Sequence, residues 1–217
     1  MNIKVITGYE GECLYKDIAV TNLQEYSNRH GYTFIAKFND WKESDRYFYW
    51  RKLEMILDNI ESCDYLVWID TDCIVTNQTK KIEDLVEDDF DLVITEDDGL
   101  QASVMILKNT LWCIELLHEW WDMGNIRHSS WKELHDKGGN DRASVFTILS
   151  NDNTVLHKLL SLNNSISARI KRVGRSELVT KHVHFNSDID NFIVHIPGST
   201  EEDKLQFLTK FLQQITR

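Results

Sequence analysis

The run Tyr65-Leu66-Val67-Trp68-Ile69 restricts the folds open to this chain more than any other stretch. It is short, continuously apolar and rich in β-branched and aromatic residues, which reads as a buried strand. It leads straight into Asp70, Thr71 and Asp72. The carboxylates therefore fall at the strand's C-terminal end, and in an open α/β sheet that edge is where ligands bind. Two carboxylates this close repel each other and need a cation, a proton or an arginine between them. Oxygen donors of this kind suit a hard divalent ion, Mg²⁺ or Mn²⁺.

Around this strand, strand and helix patterns alternate. Strands are expected at Lys4–Thr7, Thr33–Phe38, Asp91–Thr95, Ser103–Leu107, Ile170–Val173 and Ile193–His195. Helical spacing of apolar residues marks Ile18–His30, with Gly31 as its C-cap, then Trp50–Ile60 and Glu202–Ile215. Asn109-Thr110 opens a further helix to Trp121, and Asp141–Leu149 reads as a short one. The order predicts one α/β domain over residues 1–217, with a central, mainly parallel mixed sheet flanked by helices.

The 217 residues carry a net charge of −11, which argues against nucleic acid as a partner, because phosphate binding needs a clustered basic surface. Cys13, Cys63, Cys73 and Cys113 are scattered without metal-type spacing and read as small hydrophobes in a reducing compartment. The N-terminus reads as a strand, and no run approaches the roughly 18 apolar residues of a membrane helix. A soluble, cytoplasmic chain with no membrane segment is expected.

An Asp-x-Asp after an apolar strand fits two chemistries. One is nucleotide-sugar transfer, with a metal bridging the aspartates and a diphosphate. The other is a haloacid-dehalogenase-like phosphatase with Asp70 as nucleophile. That phosphatase motif usually lies on the first strand, with Thr or Val two residues past the second Asp; here Ile74 holds that place and other elements precede it. A non-catalytic sugar-nucleotide or glycan-binding module is a third reading.

Several separate stretches resemble the GT-A glycosyltransferases, above all glycosyltransferase family 34, the galactosyl/xylosyl transferase group. Asn22 to Tyr32 is similar to the family's Asn-x-x-x-Tyr-x-x-x-His-Gly-Tyr, Trp50-Arg51-Lys52 to its Trp-x-Lys, and Tyr65 to Asn77 to its Asp-x-Asp strand. Gln101 to Gly124 resembles the next conserved block, Asn140-Asp141-Arg142-Ala143 its Asp-Gln-Ser/Ala, Phe185-Asn186-Ser187 its Phe-Asn-Ser, and His195-Ile196-Pro197-Gly198 its His-Phe-x-Gly. The matches keep the family's order across most of residues 3 to 200.

The resemblance implies a metal-dependent enzyme that moves a sugar from a UDP-sugar to an oligosaccharide or glycoprotein glycan. Asp70, Asp72 and His195 would hold Mn²⁺ or Mg²⁺, the imidazole favouring Mn²⁺. Thr7, Gly8 and Tyr9 would receive the uridine. Lys52, Thr71 and Gly198 would meet the diphosphate or sugar. Glu96, Asp97 and Asp98 would line the sugar pocket, and His128 and Trp131 the acceptor site. Trp112, Trp120 and Trp121 are expected in the core.

Departures concentrate where chemistry occurs. Arg142 stands where the family has glutamine beside Asp141, so Asp141 is a candidate general base or sugar ligand. Gln101 and Ser103 replace Asn and Gly. Thr200 stands where the family has a lysine, for which Lys204 is a substitute. The family's eukaryotic members carry a Golgi anchor; a chain without one suits a bacterial or large-virus glycosylation system, or the catalytic piece of a longer multidomain protein.

Overall fold

The apolar strand is central because both of its faces are covered. The computed structural model describes residues 1–39, 41, 48–97, 99–124, 152–162, 167–185 and 190–215. Strands β1 (Ile3–Tyr9), β2 (Thr33–Phe38), β3 (Tyr65–Ile69), β5 (Leu92–Asp97), β6 (Gly99–Lys108) and β7 (Ile170–Val173) form one sheet in the order β2-β1-β3-β6-β5-β7. β1 pairs in parallel with β2 and β3, and β5 with β7; β6 alone runs antiparallel to its neighbours β3 and β5. The predicted mainly parallel mixed sheet is thus found.

Alternation along β3 divides its side chains between two cores. Leu66 and Trp68 enter one, with Leu53 and Ile56 of helix α2 (Arg51–Asn59), Leu117 and Trp120 of α3 (Leu111–Met123), and Leu156 of α4 (Asp152–Leu162). Tyr65, Val67 and Ile69 enter the other, with Leu23 and Tyr26 of α1 (Lys16–His30). Every β3 side chain is buried, and each such apolar residue contributes about 1.5–3 kcal/mol.

A second sheet, β4 (Cys73–Val75), β9 (Ile193–His195) and β8 (Val179–Lys181), lies in that order beyond the motif. Helix α5 (Glu201–Ile215) covers it through Leu208 and Phe211, which pack with Ile74, Val194 and Ile196. The chain passes from one sheet to the other in a tight turn: the Cys73 amide donates to the Asp70 carbonyl at 3.0 Å. Asn22 of α1 pins β4, its side chain exchanging two buried bonds with the Val75 backbone at 2.8 and 3.1 Å.

Gly31 caps α1 in the left-handed conformation at φ 74°, as expected. The three-residue strands β4 and β8 are too short to show a period and go unread in the sequence. α4 is likewise unforeseen, although Val155, Leu156, Leu159 and Leu160 have helical spacing. The helix expected at 141–149 lies outside the described residues. Trp120 is fully buried, and Trp112 and Trp121 pack against the same core, as predicted. All four cysteines are free, three buried and Cys13 half-buried. Among the described residues no helix is long and apolar enough to cross a membrane.

Candidate functional site

A cleft of about 670 Å³ opens at the C-terminal edge of the parallel strands. β1 contributes Gly8 and Tyr9; α2 contributes Arg51 and Lys52; the β3–β4 turn contributes Asp70, Thr71 and Asp72. Gln101 and Ser103 of β6, Asp152 and Asn153 of α4, Lys181, His195, Gly198 and Lys204 complete the walls. Eight of the sequence-predicted residues therefore meet in one place: Gly8, Tyr9, Lys52, Asp70, Thr71, Asp72, His195 and Gly198.

Strand register explains how His195 reaches the motif from the far end of the chain. Cys73 pairs with His195 across β4 and β9, and the Ile196 amide donates to the Asp72 carbonyl at 3.0 Å. The His195 Nε2 then lies 3.3 Å from Asp72 Oδ1, while Lys204 Nζ of α5 lies 2.9 Å from Oδ2. Burial works against ionising Asp72, but the hydrogen bond and charge of His195, with Lys204, outweigh it and lower its pKa to about 2.

Asp70 faces the other way. Its Oδ1 accepts from the Trp68 indole at 2.6 Å and forms an ion pair with Lys52 Nζ at 3.1 Å, and among the described residues nothing donates to Oδ2. Burial, with Asp72 and Asp152 nearby, raises the Asp70 pKa despite Lys52. The Lys52 ammonium donates to the Ala102 carbonyl at 2.9 Å and forms a second ion pair with Asp152 at 2.9 Å. Burial opposes its charge, yet Asp152 and Asp70 raise its pKa overall. In this structure Lys52 clamps carboxylates of two elements together instead of offering a free cation.

The backbone of β1 forms one wall. A Cβ on Gly8 would lie 3.0 Å from both the Lys37 carbonyl oxygen and the Trp41 ring, so even a methyl group there would have to push a neighbour aside. Thr71 donates from Oγ1 to the Gly8 carbonyl at 3.1 Å, joining the motif to this wall. Thr7 is fully buried behind the lining, 3.4 Å from Thr71 hydroxyl to hydroxyl. Arg51 fixes the rim by bonding Glu10 and Glu54, each at 2.8 Å. Gly198, at φ 68°, turns the chain from β9 toward α5.

Side chains of the types that bind divalent cations gather beside Asp72. Ligand atoms of Asp72, Cys73 and His195 lie within 4.8 Å of one another. Cys73 is a poor member, because burial pushes its thiol pKa well above its usual value and keeps it neutral. Asp72 and His195 remain as the donors of that group; Asp70, which faces Trp68 and Lys52, lies outside it. Unpartnered buried polar atoms also collect here: both amide atoms of Gln101, the Ser103 hydroxyl and His195 Nδ1.

Glu96 does not line the cleft; β7 draws it away, with Arg172 bonding it at 3.0 Å. Asp98, His128, Trp131, Asp141 and Arg142 lie outside the described residues. Sequence reasoning missed Asp152 and Asn153, which α4 delivers into the cleft. The Asn153 side chain accepts from the Ala102 amide and donates to the Leu100 carbonyl, each at 3.0 Å, so it pins α4 to β6. Their signal was the Asn151-Asp152-Asn153 triplet just before an amphipathic run.

The profile of a family described as "Protein of unknown function, DUF273" matches residues 23–161. The probable alpha-1,6-mannosyltransferase MNN10 of Saccharomyces cerevisiae is 22% identical over 163 residues, 57% of this chain and 41% of that protein. The chain thus spans less than half the length of this curated relative. A solved glycosyltransferase involved in glycosylation of the major capsid of PBCV-1 matches with TM-score 0.69 and 14% identity, over 97% of this chain and 100% of that one. The galactosyltransferase LgtC, solved with donor and acceptor sugar analogues, matches with TM-score 0.54 and 10% identity, over 98% and 95%. The architecture is that of the GT-A glycosyltransferases.

Proposed function

The chain belongs to the DUF273 family, and from that footing we propose that it is a metal-dependent glycosyltransferase moving a sugar from a UDP-sugar to a glycan hydroxyl. The observation that carries the reading is the meeting of Asp72 and His195, imposed by the β4–β9 register beside Asp70. The GT-A architecture and the activities named for MNN10 and LgtC support it.

Asp70, Asp72 and His195 are the residues to hold Mn²⁺ or Mg²⁺. When bound, such an ion acts as a Lewis acid that neutralises charge on a departing diphosphate. Gly8 lets a nucleoside lie against bare backbone, with Tyr9 beside the base. The unpartnered atoms of Gln101 and Ser103 face an environment that only ligand hydroxyls or water satisfy, which suits a sugar. Asp152, held by Lys52, joins Asp141 as a candidate for contact with the reacting sugar or acceptor. Arg142 beside Asp141 would add a cation near the leaving group.

Calorimetry with UDP and GDP, each with and without Mn²⁺, tests the reading. Metal-dependent binding of UDP is expected, followed by product formation when UDP-sugars and glycan acceptors are screened by mass spectrometry. Absence of metal-dependent nucleotide binding overturns it. Preference for GDP would keep the transferase and change the donor. Binding without turnover on a broad acceptor panel favours a sugar-nucleotide-binding module.

A further inference from the structure

Asp72 is held from two sides, and the second side is unusual. His195 of β9 meets one oxygen, and Lys204 of α5 meets the other at 2.9 Å. Both side chains of the Lys204–Asp72 pair are only 14% exposed. Thr200 opens α5: its hydroxyl accepts from the Asp203 amide at 3.1 Å, and its carbonyl accepts from the Lys204 amide at 2.9 Å. Lys204 is therefore at the end of a helix's first turn, where the backbone dipole disfavours a cation. Its partner across the cleft holds it there, with its ammonium 5.6 Å over the Tyr15 ring.

We propose that Lys204 is the resident counter-ion of the metal site. In the metal-free protein its ammonium sits on Asp72; a divalent cation displaces it, and the freed ammonium then serves the phosphates of the nucleotide in the same cleft. The inference rests on the reading of this site as one for a divalent ion and a nucleoside diphosphate.

Three physical points carry it. A divalent ion and an ammonium on one carboxylate repel strongly at contact distance, so they compete for Asp72. The side chain can yield while its helix stays, because Leu208 and Phe211 anchor α5 in the third core and a lysine stem is long and flexible. The direction of yielding is fixed as well, since Lys204 already lines the cleft beside Gly198 and Ser199.

The exchange makes a prediction of opposite signs. In Lys204→Met, Mn²⁺ alone binds about tenfold tighter, because Asp72 has lost its competitor, while UDP at saturating Mn²⁺ binds about tenfold weaker. A purely structural lysine moves both affinities in the same direction or neither. Both are read by calorimetry, with circular dichroism confirming the fold.

The unsubstituted protein gives a second measurement, by amine labelling with an N-hydroxysuccinimide ester and peptide mass spectrometry. Lys204 labels slowly without metal, faster with Mn²⁺ alone, and slowly again with Mn²⁺ and UDP. Labelling indifferent to Mn²⁺, or loss of Mn²⁺ affinity in Lys204→Met, overturns the proposal. If the unsubstituted protein binds neither Mn²⁺ nor UDP, the reading of the site falls with it. If it binds both and the two arms fail to diverge, only the role of Lys204 falls.

Discussion

Replacing Lys52 by Met tests whether the cleft is built around a buried cation. The Lys52 side chain is 9% exposed and ties Asp152, 8% exposed, to Asp70, 27% exposed. Met fills most of the same volume, so little cavity forms and the loss is electrostatic. Removing one partner of a buried ion pair costs about 3–5 kcal/mol, because the remaining charge stays uncompensated. Asp152 accounts for most of it here, since Asp70 keeps some access to water. With an m-value of about 3 kcal/mol/M in urea, the midpoint falls by about 1–1.7 M. The sign of the pH dependence follows from Asp70. Its pKa is already raised by burial, and losing Lys52 removes the main opposing charge. An acid with a raised folded pKa costs stability when ionised, so the deficit of Lys52→Met is full at neutral pH and shrinks as the solution is acidified. The double variant Lys52→Met/Asp152→Asn recovers more than about 1.5 kcal/mol relative to the sum of the single changes. A loss under about 1 kcal/mol in the single variant, or additivity in the double, refutes the clamp.

Gly124→Ala drives a Cβ into the buried Trp50 ring; unfolding in urea should show a loss of about 2–3 kcal/mol, and the near-ultraviolet dichroism of tryptophan should change. Asn22→Leu leaves the Val75 amide buried without a partner, while the Val75 carbonyl keeps the Gln78 side chain at 3.1 Å, so thermal melting should report about 1–3 kcal/mol lost, with Mn²⁺ affinity falling as β4 loosens behind Asp72. The Lys204–Asp72 ion pair stabilises the fold above the ordinary carboxylate range, and that contribution disappears as pH falls through about 2. The stability gap between the parent protein and Asp72→Asn should therefore be present at about pH 5 and close in strong acid. The same variant should abolish metal-dependent UDP binding in calorimetry.

The main sheet was legible because its strands carry their own signal. Tyr65–Ile69 is apolar on both faces, and Gly31 is a helix stop that needs only the left-handed conformation to be recognised. Most of the candidate site was legible because it clusters at strand ends, where Gly8, Asp70, Asp72 and His195 sit. What stayed hidden depends on pairing between distant segments. No local pattern shows that Cys73 faces His195 or that Lys204 reaches Asp72. Glu96 misled for a related reason: an acidic stretch at a strand end resembles a pocket wall until Arg172, far along the chain, bonds it. Asp152 was hidden by helix placement, because the acidic residue that opens α4 reads as a solvated N-terminal charge unless its buried partner Lys52 is known.

The two aspartates of the motif do different work because the turn between them crosses from one sheet to the other. Asp70 ends β3 and is bound by the main sheet's layer, through Trp68 of its own strand and Lys52 of α2. Asp72 begins β4 and is bound by the second sheet's layer, through His195 of β9 and Lys204 of α5. One residue, Thr71, separates them, and its hydroxyl ties the crossing to β1. In the metal-free protein each carboxylate thus has a cationic partner from its own layer, and the cleft is the seam between the layers. A divalent ion shared by Asp70, Asp72 and His195 would bridge that seam directly. It would displace the Lys204 contact and leave Lys52 in place. Because Lys52 is held by one hydrogen bond and two ion pairs deep in the main layer while Lys204 reaches Asp72 from a helix surface, the second layer is the side that yields.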